Sequence, residues 1–128
     1  MTILLVDDNP DDRELTLREL KRHNHRNVVI VRDGVEALEH ILGAGQTPQL
    51  VLLDLHMPRL SGLEVLRRLR ADARTRELPV VILTSSDNPQ DRRDAESFGA
   101  SFLHKPLNFA EFAKVTGRSC RMMAAAAP

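Results

Sequence analysis

Five short apolar stretches recur along the chain at near-regular intervals: Ile3-Leu4-Leu5-Val6, Val28-Val29-Ile30-Val31, Leu50-Val51-Leu52-Leu53, Val80-Val81-Ile82-Leu83 and Ser101-Phe102-Leu103-His104. Runs of this length between turn-forming residues predict strands covered on both faces, as in a parallel sheet. Between them the apolar spacing becomes helical. Asn9 predicts a helix cap, with Pro10 at the first position, Asp11 and Asp12 in the first turn, and Leu15, Leu17 and Leu20 before the pattern fades near His23. Asp33 opens a second helix with Ala37, Leu38, Ile41 and Leu42 on one stripe, stopped by Gly43 and Gly45. Ser61-Gly62-Leu63-Glu64 reads as a capping box ahead of Val65, Leu66 and Leu69. Asp87-Asn88-Pro89 starts a weakly apolar fourth helix (Ala95, Phe98) that stops at Gly99, and Asn108 caps a fifth bearing Phe109, Phe112 and Val115.

Five successive β-α units predict an α/β fold: a doubly wound five-stranded parallel sheet with right-handed crossovers and the flavodoxin-like order 2-1-3-4-5. No internal repeat or linker interrupts them. A length of 128 residues suits one domain. The net charge is zero with 28% charged residues, so no global field draws the chain toward nucleic acid or membrane. Arg67, Arg68, Arg70, Arg74 and Arg76 form a basic stretch, but without interleaved aromatics it reads as a solvated helix face. The lone Cys120 excludes an internal disulfide and suits a reducing compartment. With no apolar run near the ~20 residues of a membrane span, a cytoplasmic protein is expected.

The polar residues that end the strands carry the chemistry. Strand one runs into Asp7-Asp8, strand three into Asp54, strand four into Thr84-Ser85-Ser86, and strand five into Lys105-Pro106. In a parallel sheet all these ends gather on one rim, and open α/β sheets bind ligands there. Two carboxylates about 4 Å apart repel by roughly 4 kcal/mol at an effective dielectric of 20. Such a group therefore takes up a proton or a cation, and Mg²⁺ suits a small set of carboxylate oxygens. Asp54 can then present a free oxygen to phosphorus as a nucleophile. Lys105 can meet a phosphoryl oxygen as a point charge, and the Thr84 hydroxyl can donate to another. The product is a phospho-aspartate.

In these residues and their spacing the chain resembles the receiver domains of bacterial two-component response regulators. The resemblance covers residues 2 to about 117. It implies a receiver domain over 1–123, with a short disordered tail over 124–128. It also implies that Asp54 is the phospho-acceptor, and that Asp7, Asp8, Asp54 and the backbone carbonyl of His56 hold Mg²⁺. Thr84 and Phe102 resemble the family's switch pair, which signals to the face of helix four, strand five and helix five. The Lys105-Pro106 bond resembles the family's cis peptide. His56 and Ser86 stand where side chains control water access, and hence the lifetime of the phosphoryl group. The stretches 7–12 and 85–91 look most like small regulators paired with bacterial and cyanobacterial phytochrome kinases. Those often end in an apolar, aromatic-bearing segment used in dimer contacts, whereas this chain ends Arg118-Ser119-Cys120-Arg121-Met122-Met123 and then alanines.

The expected function is a stand-alone switch, a phospho-acceptor rather than an enzyme. It takes its phosphoryl group from a sensor histidine kinase and slowly loses it to water. Since 23 residues follow Lys105 in a chain of 128, output is expected through a downstream protein or a homodimer, not through DNA or a membrane. A pseudo-receiver that only binds a partner is the main rival, and retention of Asp7, Asp8, Asp54, Thr84 and Lys105 argues against it. An aspartyl phosphohydrolase would carry a second acid where this chain has His56. A dinucleotide binder would need a glycine-rich turn in place of Asp7-Asp8-Asn9-Pro10.

Overall fold

Each helix begins on a short polar side chain that accepts the first free amides. Asn9 accepts from Asp11 and Asp12 at 2.9 and 3.2 Å, Asp33 from Glu36 at 2.9 Å, and Ser61 from Glu64 at 3.3 Å. Asn88 accepts from Gln90 at 2.9 Å and Asn108 from Glu111 at 3.2 Å. Each such cap is worth about 1 kcal/mol. The computed structural model describes residues 2–116. The expected boundary at 123, the tail over 124–128 and Cys120 lie outside the described residues.

The elements alternate as the pattern predicts: β1 (Ile3–Val6), α1 (Pro10–Arg22), β2 (Val28–Val31), α2 (Gly34–Leu38), β3 (Leu50–Leu53), α3 (Gly62–Ala71), β4 (Val80–Thr84), α4 (Pro89–Ser97) and β5 (Ser101–His104), then a helical segment, α5, over 109–116. The strands form one parallel sheet in the order β2-β1-β3-β4-β5. Alternation along the strands sends side chains to two cores. Leu4, Val6, Val51, Leu53, Val80, Ile82 and Phe102 pack with Ala37, Ile41, Val65, Leu66, Leu69 and Ala95, beneath α2, α3 and α4. Ile3, Leu5, Leu50, Leu52, Val81, Leu83 and Leu103 pack with Leu20 and Phe112, beneath α1 and α5.

Four details depart from the sequence pattern. Leu15 is 53% exposed, and the buried positions of α1 are Thr16 and Leu20. At 100° per residue Leu15 falls well off the stripe that Thr16, Leu17 and Leu20 share. The second helix widens to π geometry over Glu39–Gly43 and turns out at Gly45, which has φ +67°. β2 is an edge strand, so its residues are only partly covered and Ile30 is 40% exposed. Ser61 caps α3, but the Glu64 carboxylate pairs with Arg67 and Arg68.

Two tight contacts lock the helices to the sheet, the first at the end away from the site and the second at the site end. Arg70 of α3 donates to the carbonyls of Phe98 (2.6 Å), Leu78 (2.7 Å) and Thr75 (3.2 Å), tying the end of α4 and the approach to β4 to α3. Gly62 begins α3 directly over the chain leaving β3, where its amide donates to the Leu55 carbonyl at 2.8 Å. A Cβ at Gly62 would lie 2.1 Å from the Asp54 carbonyl oxygen. Backbone cannot yield as a flexible side chain can, so Gly62→Ala is expected to destabilise the fold by about 3 kcal/mol or more. A fall of that size in urea-unfolding free energy is the measurement that checks it.

Candidate functional site

The register of the sheet alone brings the distant acids together. Val6 of β1 pairs with Leu53 of β3, so the next residues, Asp7 and Asp54, leave the sheet side by side. The Asp54 amide donates to the Val6 carbonyl at 3.0 Å, and the Asp7 amide to the Val31 carbonyl at 3.3 Å. Carboxylate oxygens of Asp7, Asp8 and Asp54 lie within 4.8 Å of one another. Asp7 and Asp54 are buried, whereas Asp8 faces solvent. On the other side, the Lys105 amide donates to the Thr84 carbonyl at 2.8 Å, which holds the end of β5 against the end of β4. The Lys105–Pro106 peptide is cis.

The Lys105 ammonium sits among three carboxylates, 2.9 Å from Asp7, 2.9 Å from Asp12 and 3.2 Å from Asp54. Burial alone would lower its pKa. The hydrogen bonds to Asp12 and Asp7, with the charges of Asp54 and Asp7, outweigh burial and hold it above the ordinary lysine value. The pKa of Asp54 is raised as well, but for the opposite reason, because its charged form is disfavoured. Its burial raises its pKa against the opposing pull of Lys105, and the negative charge of Asp7 adds to the rise. The His56 backbone amide nearby opposes that rise. Three carboxylates thus share one ammonium, with Asp8 beside them. A compact cluster of hard oxygen donors with surplus negative charge fits a small divalent cation such as Mg²⁺ or Mn²⁺.

The remaining expected site residues lie around this cluster. Thr84 is fully buried at the end of β4, and its hydroxyl oxygen accepts from the Ser86 amide at 3.2 Å. Phe102 pairs with Ile82, two positions before the Thr84–His104 pair, on the same sheet face as Thr84. It is 8% exposed, packs in the same core as Ala95 of α4, and carries the Arg92 guanidinium 5.7 Å over its ring. The His56 side chain is largely exposed, with Nε2 3.6 Å from Asp91 Oδ2. Ser86 Oγ donates to that same oxygen at 2.6 Å. Sequence reasoning gave Asp12 only a helix-end role and Asp91 none of its own. Asp12 had a readable signal, since the first turn of α1 must lie at the rim where β1 ends. The contacts of Asp91 depend on two loops meeting, which no spacing shows.

The raised pKa of Asp54 means that its ionised form is disfavoured in the folded chain. The penalty is absent below the unfolded carboxyl pKa of ~3.9 and sets in as pH rises through the higher folded value. Without added divalent cation, Asp54→Asn is therefore expected to be more stable than the parent chain at neutral pH by roughly 1 kcal/mol, a typical gain for one relieved conflict. The difference should shrink toward pH 4, which thermal melts across that range would read out.

A family model described as the response regulator receiver domain matches residues 3–116. The response regulator MprA of Mycobacterium avium is 41% identical over 112 residues, 87% of this chain but 47% of MprA, so the chain spans about half of that relative. Among solved structures, the bacteriophytochrome response regulator AtBRR matches with a TM-score of 0.80 at 42% identity, covering 91% of this chain and 89% of that one. The Mn(2+)-bound form of response regulator Rcp1 matches with a TM-score of 0.75 at 31% identity, covering 91% and 89%. With the sheet order, the acidic rim and the sequence match in agreement, the chain belongs to the response regulator receiver domain family.

Proposed function

We propose that the chain is a phosphorylation switch in which Asp54 accepts a phosphoryl group from a sensor histidine kinase. One observation carries this reading: the Lys105 ammonium bridges Asp7 and Asp54 at the rim where β4 delivers the buried Thr84. In the transfer, an Asp54 carboxylate oxygen attacks the phosphorus of a phosphohistidine in line, the P–N bond breaks, and the imidazole leaves. Asp7, Asp8, Asp54 and the His56 carbonyl would hold a Mg²⁺ ion, which supplies positive charge against the phosphoryl oxygens. Lys105 meets one of those oxygens, and the Thr84 hydroxyl donates to another.

Movement of Thr84 toward the new charge would vacate the space into which the Phe102 ring turns, since both residues lie on one face of adjacent strands. The face of α4, β5 and α5 then changes for a downstream protein or a second copy of the chain. The thin apolar contact of α4, whose one buried residue is Ala95, suits an element held weakly enough to shift. Likeness to AtBRR supports a phytochrome as the kinase. Water later removes the phosphoryl group, with His56 and Ser86 setting its lifetime. Among the described residues no helix is long and apolar enough to cross a membrane, which is compatible with a cytoplasmic site of action.

Incubation with acetyl phosphate and Mg²⁺ tests the proposal. The chain should gain one phosphoryl equivalent, detected by intact-protein mass spectrometry, and Asp54→Asn should gain none. Removal of Mg²⁺ with a chelator, or Asp7→Asn, should slow labelling by at least about tenfold, the scale of a lost charge-stabilising contact. Absence of label on the parent chain would favour a partner-binding pseudo-receiver, and sustained release of phosphate over many turnovers would favour a hydrolase.

A further inference from the structure

We propose that Asp91 is a positioning residue of this site. Its carboxylate straps the loop that follows Asp54 to the loop that follows Thr84, and so restricts the access of water to a phosphoryl group on Asp54. The inference rests on the reading of Asp54 as phospho-acceptor.

Asp91 lies in the first turn of α4, where an acidic side chain ordinarily points into solvent and favours the helix N-terminus. Here it is turned inward, with only 18% of the side chain exposed. One of its oxygens, Oδ2, accepts a hydrogen bond from the Ser86 hydroxyl at 2.6 Å and lies 3.6 Å from His56 Nε2. Each partner also sits beside the reacting residues. The Ser86 amide donates to the Thr84 hydroxyl oxygen at 3.2 Å, and His56 follows Asp54 by two residues in the same loop. A path therefore runs from Thr84 through Ser86 and Asp91 to His56, joining the β3–α3 and β4–α4 loops through a single carboxylate.

Hydrolysis of the phospho-aspartate requires a water oxygen to attack phosphorus in line, opposite the Asp54 oxygen. The P–O bond to Asp54 breaks, the carboxylate is restored, a proton goes to solvent, and inorganic phosphate departs. Water must reach phosphorus from the side these loops bound. While the strap holds, the loops cannot part, and the one Ser86 hydroxyl proton is held by Asp91, so it cannot donate elsewhere. Ser86 Oγ also accepts from the Asn88 amide at 3.2 Å. That bond is a local turn which survives loss of Asp91, so the two contributions are separable.

The test loads the full chain with acetyl phosphate and Mg²⁺, removes the donor, and follows loss of the phosphoryl group from whatever fraction of each variant carries it. Asp91→Ala is expected to shorten the lifetime about three- to tenfold. Asp91→Asn keeps an oxygen acceptor for Ser86 and should stay within about twofold of the parent. Ser86→Ala cuts the strap from its other end and should reproduce Asp91→Ala, with the double variant decaying no faster than either single one, the non-additivity of one shared contact. Unchanged decay in Asp91→Ala, or effects of the two substitutions that multiply, would overturn the strap. Should Asp91→Ala fail to fold, Asp91→Leu, which keeps the side-chain volume but offers Ser86 no acceptor, takes its place in the cycle with Ser86→Ala and carries the same expectations. If the parent chain takes no label at Asp54, the phospho-acceptor reading and the strap fall together. If it labels and only the Asp91 variants behave as the parent does, the strap alone falls.

Discussion

The Lys105 ammonium surrounded by the carboxylates of Asp7, Asp12 and Asp54 is the contact on which the site end of the fold depends. Its partners come from the ends of β1 and β3 and from the first turn of α1, 51 and 93 residues away along the chain for Asp54 and Asp12. Nothing local holds these charges near one another. They are held by a sheet whose registers leave them no other place, and the ammonium moderates a repulsion that would otherwise push the loops apart. The compensation is incomplete. Burial and Asp7 still raise the pKa of Asp54, so the cluster retains an electrostatic deficit that a divalent cation can fill. Stability lost there is what makes the site receptive, as expected of a functional constellation that a stable fold elsewhere must support.

That support is visible in the packing. The same strand residues that alternate between the two cores deliver Asp7, Asp54, Thr84 and Lys105 at their final positions, so the apolar interior and the polar rim are consequences of one set of registers. α3 is placed by Gly62, whose missing side chain lets the helix start against the Asp54 carbonyl. Arg70, half-buried, anchors the end of α4 to α3 through the Phe98 carbonyl. The start of α4 is held by Asn88, Ser86 and Asp91. α4 is therefore pinned at both ends by polar contacts while its middle buries little beyond Ala95, a distribution suited to a segment that answers to polar changes at the site.

Much of this was readable before any coordinates. Strand positions, five helix caps and the four polar strand ends follow from short-range regularities, while the sheet order is expected from what doubly wound folds of this kind adopt. An apolar run of four residues, a Ser or Asn before a helix, and a Pro at its first position act through neighbours in sequence, so their physics is written in sequence order. Phe102 and Leu103, neighbours in β5, fall in opposite cores by the same strand alternation, and Phe102 packs with Ala95. Leu15 shows the limit of such regularities, since a leucine in a helix is buried only where its angle matches the stripe that Thr16 and Leu20 define.

Other features exist only once the chain is assembled. The π turn over Glu39–Gly43, the role of Gly62, the second carboxylate partner of Lys105 at Asp12, and the meeting of His56 and Ser86 on Asp91 each join atoms whose separation in sequence carries no periodic signal. Local propensity could announce which elements form and which residues end them, because those preferences act over a turn of helix or a pleat of strand. Which side chains share a proton or a charge is settled by register, helix placement and loop path together. Those are long-range outcomes, and folding had to bring them about before the acids, the lysine and the two loops could become one site.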